Sequence, residues 1–224
     1  HCIYMVRKMV RKSTKLAWLC LQYTKRRYNY HMAYIAQQIK VGPFILPNRF
    51  VMGSMHTGLE GHQDKFNELA KFYADRALGG AALIITGGFS PNFQGRIKDE
   101  HCTIDTEEDI IAHKIITSAV HRAGGRILLQ LLHAGRYSYH SYQVAPSPQK
   151  SPINRETPKE LTGKEIMKTI EDYAETARKA LEAGYDGIEV MGSEGYLMSQ
   201  FLASSTNHRT DKWGGDFEIG CGFQ

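Results

Sequence analysis

The chain has 224 residues, 42% of them hydrophobic and 23% charged, with a formal net charge of +5 at neutral pH. That is enough length to bury one sizeable core. The charge is uneven: eight Lys and Arg fall within the first 31 residues and no Asp or Glu precedes Glu60, so the rest holds 20 basic against 23 acidic residues, a balance of −3. A mildly acidic body behind a basic leader argues against nucleic acid as a partner.

The cysteines (Cys2, Cys20, Cys102 and Cys221) show no C-x-x-C spacing and no histidine at zinc-finger distance, so neither a metal site nor a disulfide framework is expected. The longest apolar run of the leader, Leu16 to Leu21, is far too short to span a bilayer, and no membrane partner is expected. A reducing, cytoplasmic location follows. A mitochondrial one is the alternative if residues 1–31 are a genuine basic targeting helix.

Residues 1–31 lack acids, glycine and proline, and Met32 reads as the natural start, so they are expected to be an extension or translated non-coding sequence outside the fold. Val41 to Asn48 suggests a short hairpin with turns at Gly42-Pro43 and Pro47-Asn48. Phe50 to Met55 reads as a strand. Asp64 to Leu78 reads as an amphipathic helix with Phe66, Leu69, Phe72 and Tyr73 on one stripe, stopped by Gly79-Gly80. Ala81 to Thr86 is a second strand ending in Gly87-Gly88, and Glu107 to Ala123 a second helix stopped at Gly124-Gly125. Ile127 to Leu132 is a third strand, followed by a Pro-rich loop through Pro158. Thr162, with Glu165 three residues on, forms a capping box for a helix running to Ala183. Ile188 to Met191 is a fourth strand, and a long polar loop to Gly215 carries one tyrosine, Tyr196. Strands alternating with helices argue an α/β fold with a parallel sheet.

Two residues stand out chemically. Gln130 lies inside an otherwise apolar strand, where an amide costs desolvation energy unless it is bonded. Tyr196 follows a strand C-terminus, where the catalytic groups of a β/α barrel sit.

Four segments occur in order: IKVGPFILPNRFVMGSMHTGLE (Ile39 to Glu60), LLQLLHAGRYSY (Leu128 to Tyr139), VAPSPQKSPINRETPKELT (Val144 to Thr162) and GYDGIEVMGSEGYLMSQFLASSTNHRTDKWGG (Gly184 to Gly215). Together they resemble the old yellow enzyme family of flavin-dependent ene-reductases, most closely the 2,4-dienoyl-CoA reductases, over about Ile39 to Phe217. The resemblance implies a (β/α)8 TIM barrel, present here as about its first four β/α units, Met32 to Glu218. Residues 219–224, IGCGFQ, are set apart as a divergent tail, because the resemblance stops at Glu218. It implies bound FMN, with NADPH or NADH as electron donor. An iron–sulfur cluster and FAD belong only to full-length family members.

By the same resemblance, Met52, Gly53, Ser54 and Met55 pass beneath the flavin ring, and Thr57 lies near its C4 carbonyl. Gly87 and Gly88 let the ring lie against backbone, Gln130 meets the pyrimidine edge, and His133 contacts the flavin or orients its loop. Arg136 counters substrate charge, and Tyr196 is the proton donor. Glu194 stands where many simple members carry a carbonyl-binding histidine, which favours an unsaturated acyl thioester over a small enone. The implied reaction is reduction of a conjugated C=C bond. A non-catalytic truncated or pseudogene product is the alternative.

If residues 1–31 are extraneous, a chain starting at Met32 should keep the parental solubility and thermal midpoint. Loss of folded protein, measured by circular dichroism, would show that the leader packs on the core.

Overall fold

A computed structural model describes residues 34–215 except residue 101, so the expectations for residues 1–31 and 219–224 lie outside the described residues. The described residues form two compact units divided between Phe50 and Val51. In the first, β1 (Ile39–Val41) and β2 (Phe44–Leu46) pair antiparallel, Val41 opposite Phe44. The turn falls at Gly42-Pro43 as its sequence predicts, with Gly42 at φ +55°, a left-handed conformation that glycine enters at no steric cost.

The second unit runs β3 (Val51–Met52), α1 (Phe66–Leu78), β4 (Leu83–Phe89), α2 (Glu107–Arg122), β5 (Arg126–Leu131), β6 (Val144–Ala145), β7 (Lys159–Glu160), α3 (Gly163–Glu182), β8 (Gly187–Val190) and α4 (Leu197–Leu202). Strands β3, β4, β5 and β8 form one parallel sheet in that order, while β6 and β7 pair separately. Side chains alternate across a strand. Ile127, Leu129 and Leu131 of β5 therefore join Ile84, Phe89 and the helix residues Phe66, Tyr73, Ile116, Val120, Tyr173 and Ala180 in the main core. Leu128 and Gln130 are left on the opposite face.

The structure differs from the sequence expectation in three places that matter for the site. First, β3 holds two residues instead of the six from Phe50 to Met55, and Gly53, Ser54 and Met55 run on as exposed chain. Glycine, with no side chain to pack, weakens a strand interior and ends the ladder there. Second, β4 does not stop at Thr86 but continues through Gly87 and Gly88 to Phe89. Its pairing with β5 shifts between Ile85 and Gly88: Ile85 faces Leu128, and Gly88 faces Gln130. Two residues of β4 thus oppose one of β5, which is a β-bulge. Third, the segment after β8 is not a continuous loop. Leu197 and Phe201, four apart, share one face of α4 and bury with Val144, Leu161, Ile166 and Trp213 in a second cluster.

Helix starts follow local chemistry. The box at Thr162 forms as its sequence predicts: its hydroxyl oxygen accepts from the Glu165 N–H at 3.3 Å, and the Glu165 carboxylate accepts from the Thr162 N–H at 2.9 Å. A second box, Thr106 with Asp109, starts α2. At the N-terminal edge of β5 and β8, the buried Asp186 carboxylate accepts from the Ile127 N–H (2.9 Å), Arg126 Nη1 (2.8 Å) and His121 Nε2 (2.8 Å).

Thr162→Ala should cost about 1 kcal/mol, the usual worth of an N-cap, and lower the thermal midpoint by about 2–4 °C for a domain of this size. The Lys159 ammonium at 2.6 Å, helped by the Thr162 N–H and hydroxyl, depresses the Glu165 carboxyl to about 2. That stabilisation is complete above the ordinary carboxyl value and fades as pH falls towards about 2. Melting midpoints of the parent and Glu165→Gln should therefore converge in acid.

Candidate active site

The C-terminal ends of β3, β4, β5 and β8 open at one edge of the sheet. Gln130 is nearly buried there, and its Nε2 donates to Ser54 Oγ at 2.8 Å and contacts Met191 Sδ at 3.7 Å. Its backbone neighbours in register are Gly88 on β4 and Glu189 on β8. The structure thus brings Ser54, Gly88 and Gln130 together. A Cβ on Gly88 would come within 2.8 Å of Leu132 Cβ and 3.1 Å of Gln130 Oε1, so the sheet itself requires glycine. A Cβ on Gly53 would meet nothing within 4 Å, and Met55 is 52% exposed. Met52 instead packs its side chain on the main core. The Thr57 hydroxyl is engaged locally, donating to Glu60 Oε1 at 2.9 Å.

Beyond β5 the chain makes a tight polar knot. The His133 ring is buried against Gly95, with Nδ1 accepting the Gly135 N–H at 3.1 Å, and burial pushes its pKa down to about 3. His133 is accordingly a neutral loop-orienting group at working pH. The Arg136 guanidinium reaches the Lys150 carbonyl at 3.4 Å and lies 5.5 Å from the Tyr137 ring centroid. From the β8 side, Glu194 adopts φ +60°, unusual for a residue with a side chain, and Gly195 follows at +76°. A Cβ on Gly195 would stand 2.6 Å from Tyr137 Cε2, so this turn tolerates no larger residue. Tyr196 is half-buried, edge-on to Tyr137 at 6.4 Å, and burial with Glu194 and Tyr139 nearby raises its phenol above the ordinary value.

The profile of the NADH:flavin oxidoreductase / NADH oxidase family matches residues 35–224. The chain belongs to that family. It is 37% identical over 193 residues to a metal reductase of Desulforamulus reducens, covering 84% of this chain and 28% of that protein. An NADPH dehydrogenase of Bacillus subtilis is 35% identical over 185 residues, 80% of this chain and 54% of the relative. Morphinone reductase superposes with a TM-score of 0.78 at 30% identity, over 84% of this chain and 56% of that one. A structure of 2-naphthoyl-CoA reductase with 2-naphthoyl-CoA superposes with a TM-score of 0.78 at 25% identity, over 85% and 32%. The chain therefore spans about half, or less, of these relatives. Its four β/α units are those of an old yellow enzyme TIM barrel.

The family name implies a flavin, and the residues at the sheet edge fit one. Gln130 offers a two-sided amide beside the open strip at Gly53, and Glu189 Oε2 is buried without a hydrogen-bond partner among the described residues. Sequence reasoning missed Gln200, the residue that ties the two loops together. Its Oε1 accepts the Arg136 N–H at 3.2 Å, and its Nε2 donates to the Gly195 carbonyl at 2.7 Å and the Ala134 carbonyl at 3.3 Å. The only signal for it was the i, i+4 apolar spacing of α4. Gln200→Leu keeps the volume but orphans these groups, so it should cost about 1–3 kcal/mol in denaturant unfolding.

Proposed function

We propose that this chain supplies the flavin- and substrate-facing half of an FMN-dependent NAD(P)H oxidoreductase that reduces a conjugated C=C bond. The preferred substrate class is an unsaturated acyl thioester of the 2,4-dienoyl-CoA kind. The observation that carries the reading is Gln130, bonded to Ser54 and in register with Gly88 at the sheet edge, with Tyr196 presented from the loop after β8. The thioester preference rests on Glu194, which replaces a small-enone ligand, and on the likeness to a reductase with an aromatic acyl-CoA bound.

In this assignment Gly53, Ser54, Met55, Gly88 and Gln130 hold the FMN ring, with Met52 and Gly87 contributing through backbone and His133 through its loop. The chemistry FMN supplies when bound is hydride transfer, with electrons drawn from NADPH or NADH. Tyr196 protonates the carbon that receives no hydride, as negative charge builds on it. A phenol raised above its ordinary 10 keeps its proton through neutral pH, which a donor requires. Tyr137 fixes the ring edge-on, and the left-handed Glu194-Gly195 turn sets where the ring projects. Arg136 and Glu194 face the polar end of the substrate.

The test joins residues 32–215 to the second half of a family barrel and measures the two half-reactions separately. Tyr196→Phe should leave flavin reduction by NAD(P)H nearly intact and slow olefin reduction by about 10²- to 10⁴-fold. Gln130→Ala should disturb both. The parental olefin step should also decline in alkali at a higher pH than an ordinary phenol would give, because burial raises the Tyr196 hydroxyl. Olefin reduction at the parental rate by Tyr196→Phe would make Tyr196 a packing residue.

A further inference from the structure

The bulge in β4 breaks the ladder where Gly87 and Gly88 lie; three side chains bond the peptide groups around it and a fourth, Glu60, walls Gly87. Tyr73 Oη, from the middle of α1 and fully buried, accepts the Gly87 N–H at 3.0 Å. Thr86 Oγ1 donates to the Gly87 carbonyl at 2.8 Å and accepts the Gln130 N–H at 3.0 Å. Cys102 Sγ donates to the Gly88 carbonyl at 3.4 Å. The Glu60 carboxylate, 3% exposed, gathers the Thr57 N–H (2.8 Å) and hydroxyl (2.9 Å) and the Gly58 N–H (3.0 Å). Its Oε1 stands 2.6 Å from where a Gly87 Cβ would be, so it also walls that residue. Buried peptide groups outside a ladder need such partners, and here every one comes from a side chain of a different local segment except Thr86.

We infer that Tyr73, Thr86, Glu60 and Cys102 are positioning residues: together they clamp the β4 bulge and so set the Gly87-Gly88 backbone against Gln130. The inference rests on the flavin reading for its purpose, since this backbone face is the one assigned to the ring. It needs no flavin for its geometry. Without the bulge Gly88 would move out of register with Gln130, and the alternation that puts Gln130 beside glycine would be lost. Tyr73 is central because its ring also fills the core, so removing only its oxygen isolates the clamp from packing.

The experiment follows single amides by NMR hydrogen exchange in the full chain without cofactor. Tyr73→Phe should speed exchange at the Gly87 amide by about tenfold or more while Ile84 and Ile85 on the same strand keep their rates. Thr86→Val should do the same at the Gln130 amide, and Thr86→Ser, which restores the oxygen, should rescue it. Unchanged Gly87 exchange, or equal acceleration at Ile84 and Ile85, would overturn the clamp and leave Tyr73 as ordinary core. In the chain joined to the second half of a family barrel, FMN in excess should shift the Gly87, Gly88 and Gln130 resonances, and about tenfold more should be needed for Tyr73→Phe. If the joined parent shows no shift with FMN, the flavin reading fails, while the exchange rates still decide the clamp.

Discussion

A strand walled by helices has no water with which to satisfy its peptide groups, and in this molecule that constraint is sharpest at one extra residue in β4. The insertion between Ile85 and Gly88 places a glycine, not a side chain, beside Gln130. Much at the sheet edge follows from it. Gln130 is free to bond Ser54 across the edge of β3, because the position between them is kept clear. Leu132 packs down over Gly88 where any Cβ would collide. The helix that supplies Tyr73 and the loop that supplies Glu60 are drawn to the same point. A glycine at this place is therefore demanded twice, by packing from Leu132 and by the open face above the strand.

The two ends of the sheet use different forces. The N-terminal edge is tied by charge: Asp186, its side chain 5% exposed, collects a guanidinium, an imidazole and a backbone amide. The C-terminal edge is tied mostly by neutral hydrogen bonds from Thr86, Tyr73, Gln130 and Gln200. Carboxylates also stand near that edge: Glu60, spent on the Thr57-Gly58 backbone, and Glu189, in register with Gln130.

Most of the fold was legible because its signals are local. The Thr162 and Glu165 pair announced α3, the glycine pairs announced helix ends, and strand positions were right to within a few residues. Gln130 was legible for an energetic reason, since an amide inside a run of leucines has to be bonded to something. The bulge was not legible, because it depends on pairing with β5 and on an oxygen from Tyr73 that sequence places 14 residues away. Read alone, Gly87-Gly88 looks like a turn. Helix α4 was hidden by its polar neighbours and its length of six residues, too short for a clear period. Met52 and Thr57 show the limit of transferring a motif: one side chain is turned to the core and the other's hydroxyl is consumed by Glu60.

One support beneath Tyr196 depends on a histidine that burial keeps neutral. Leu197, the first residue of α4, donates its N–H to the His133 carbonyl at 3.0 Å, so the start of the helix that carries the tyrosine is pinned to the loop after β5. The His133 ring that shapes this loop is buried and holds the Gly135 N–H on Nδ1, an interaction that needs the neutral ring. Burial lowers its pKa to about 3, so the unfolded chain takes up this proton first as pH falls below the ordinary 6.5. The stability that the neutral His133 ring contributes is thus lost only on the acid side. On the alkaline side it is the Tyr196 phenol itself that is shifted, raised by burial with Glu194 and Tyr139 nearby.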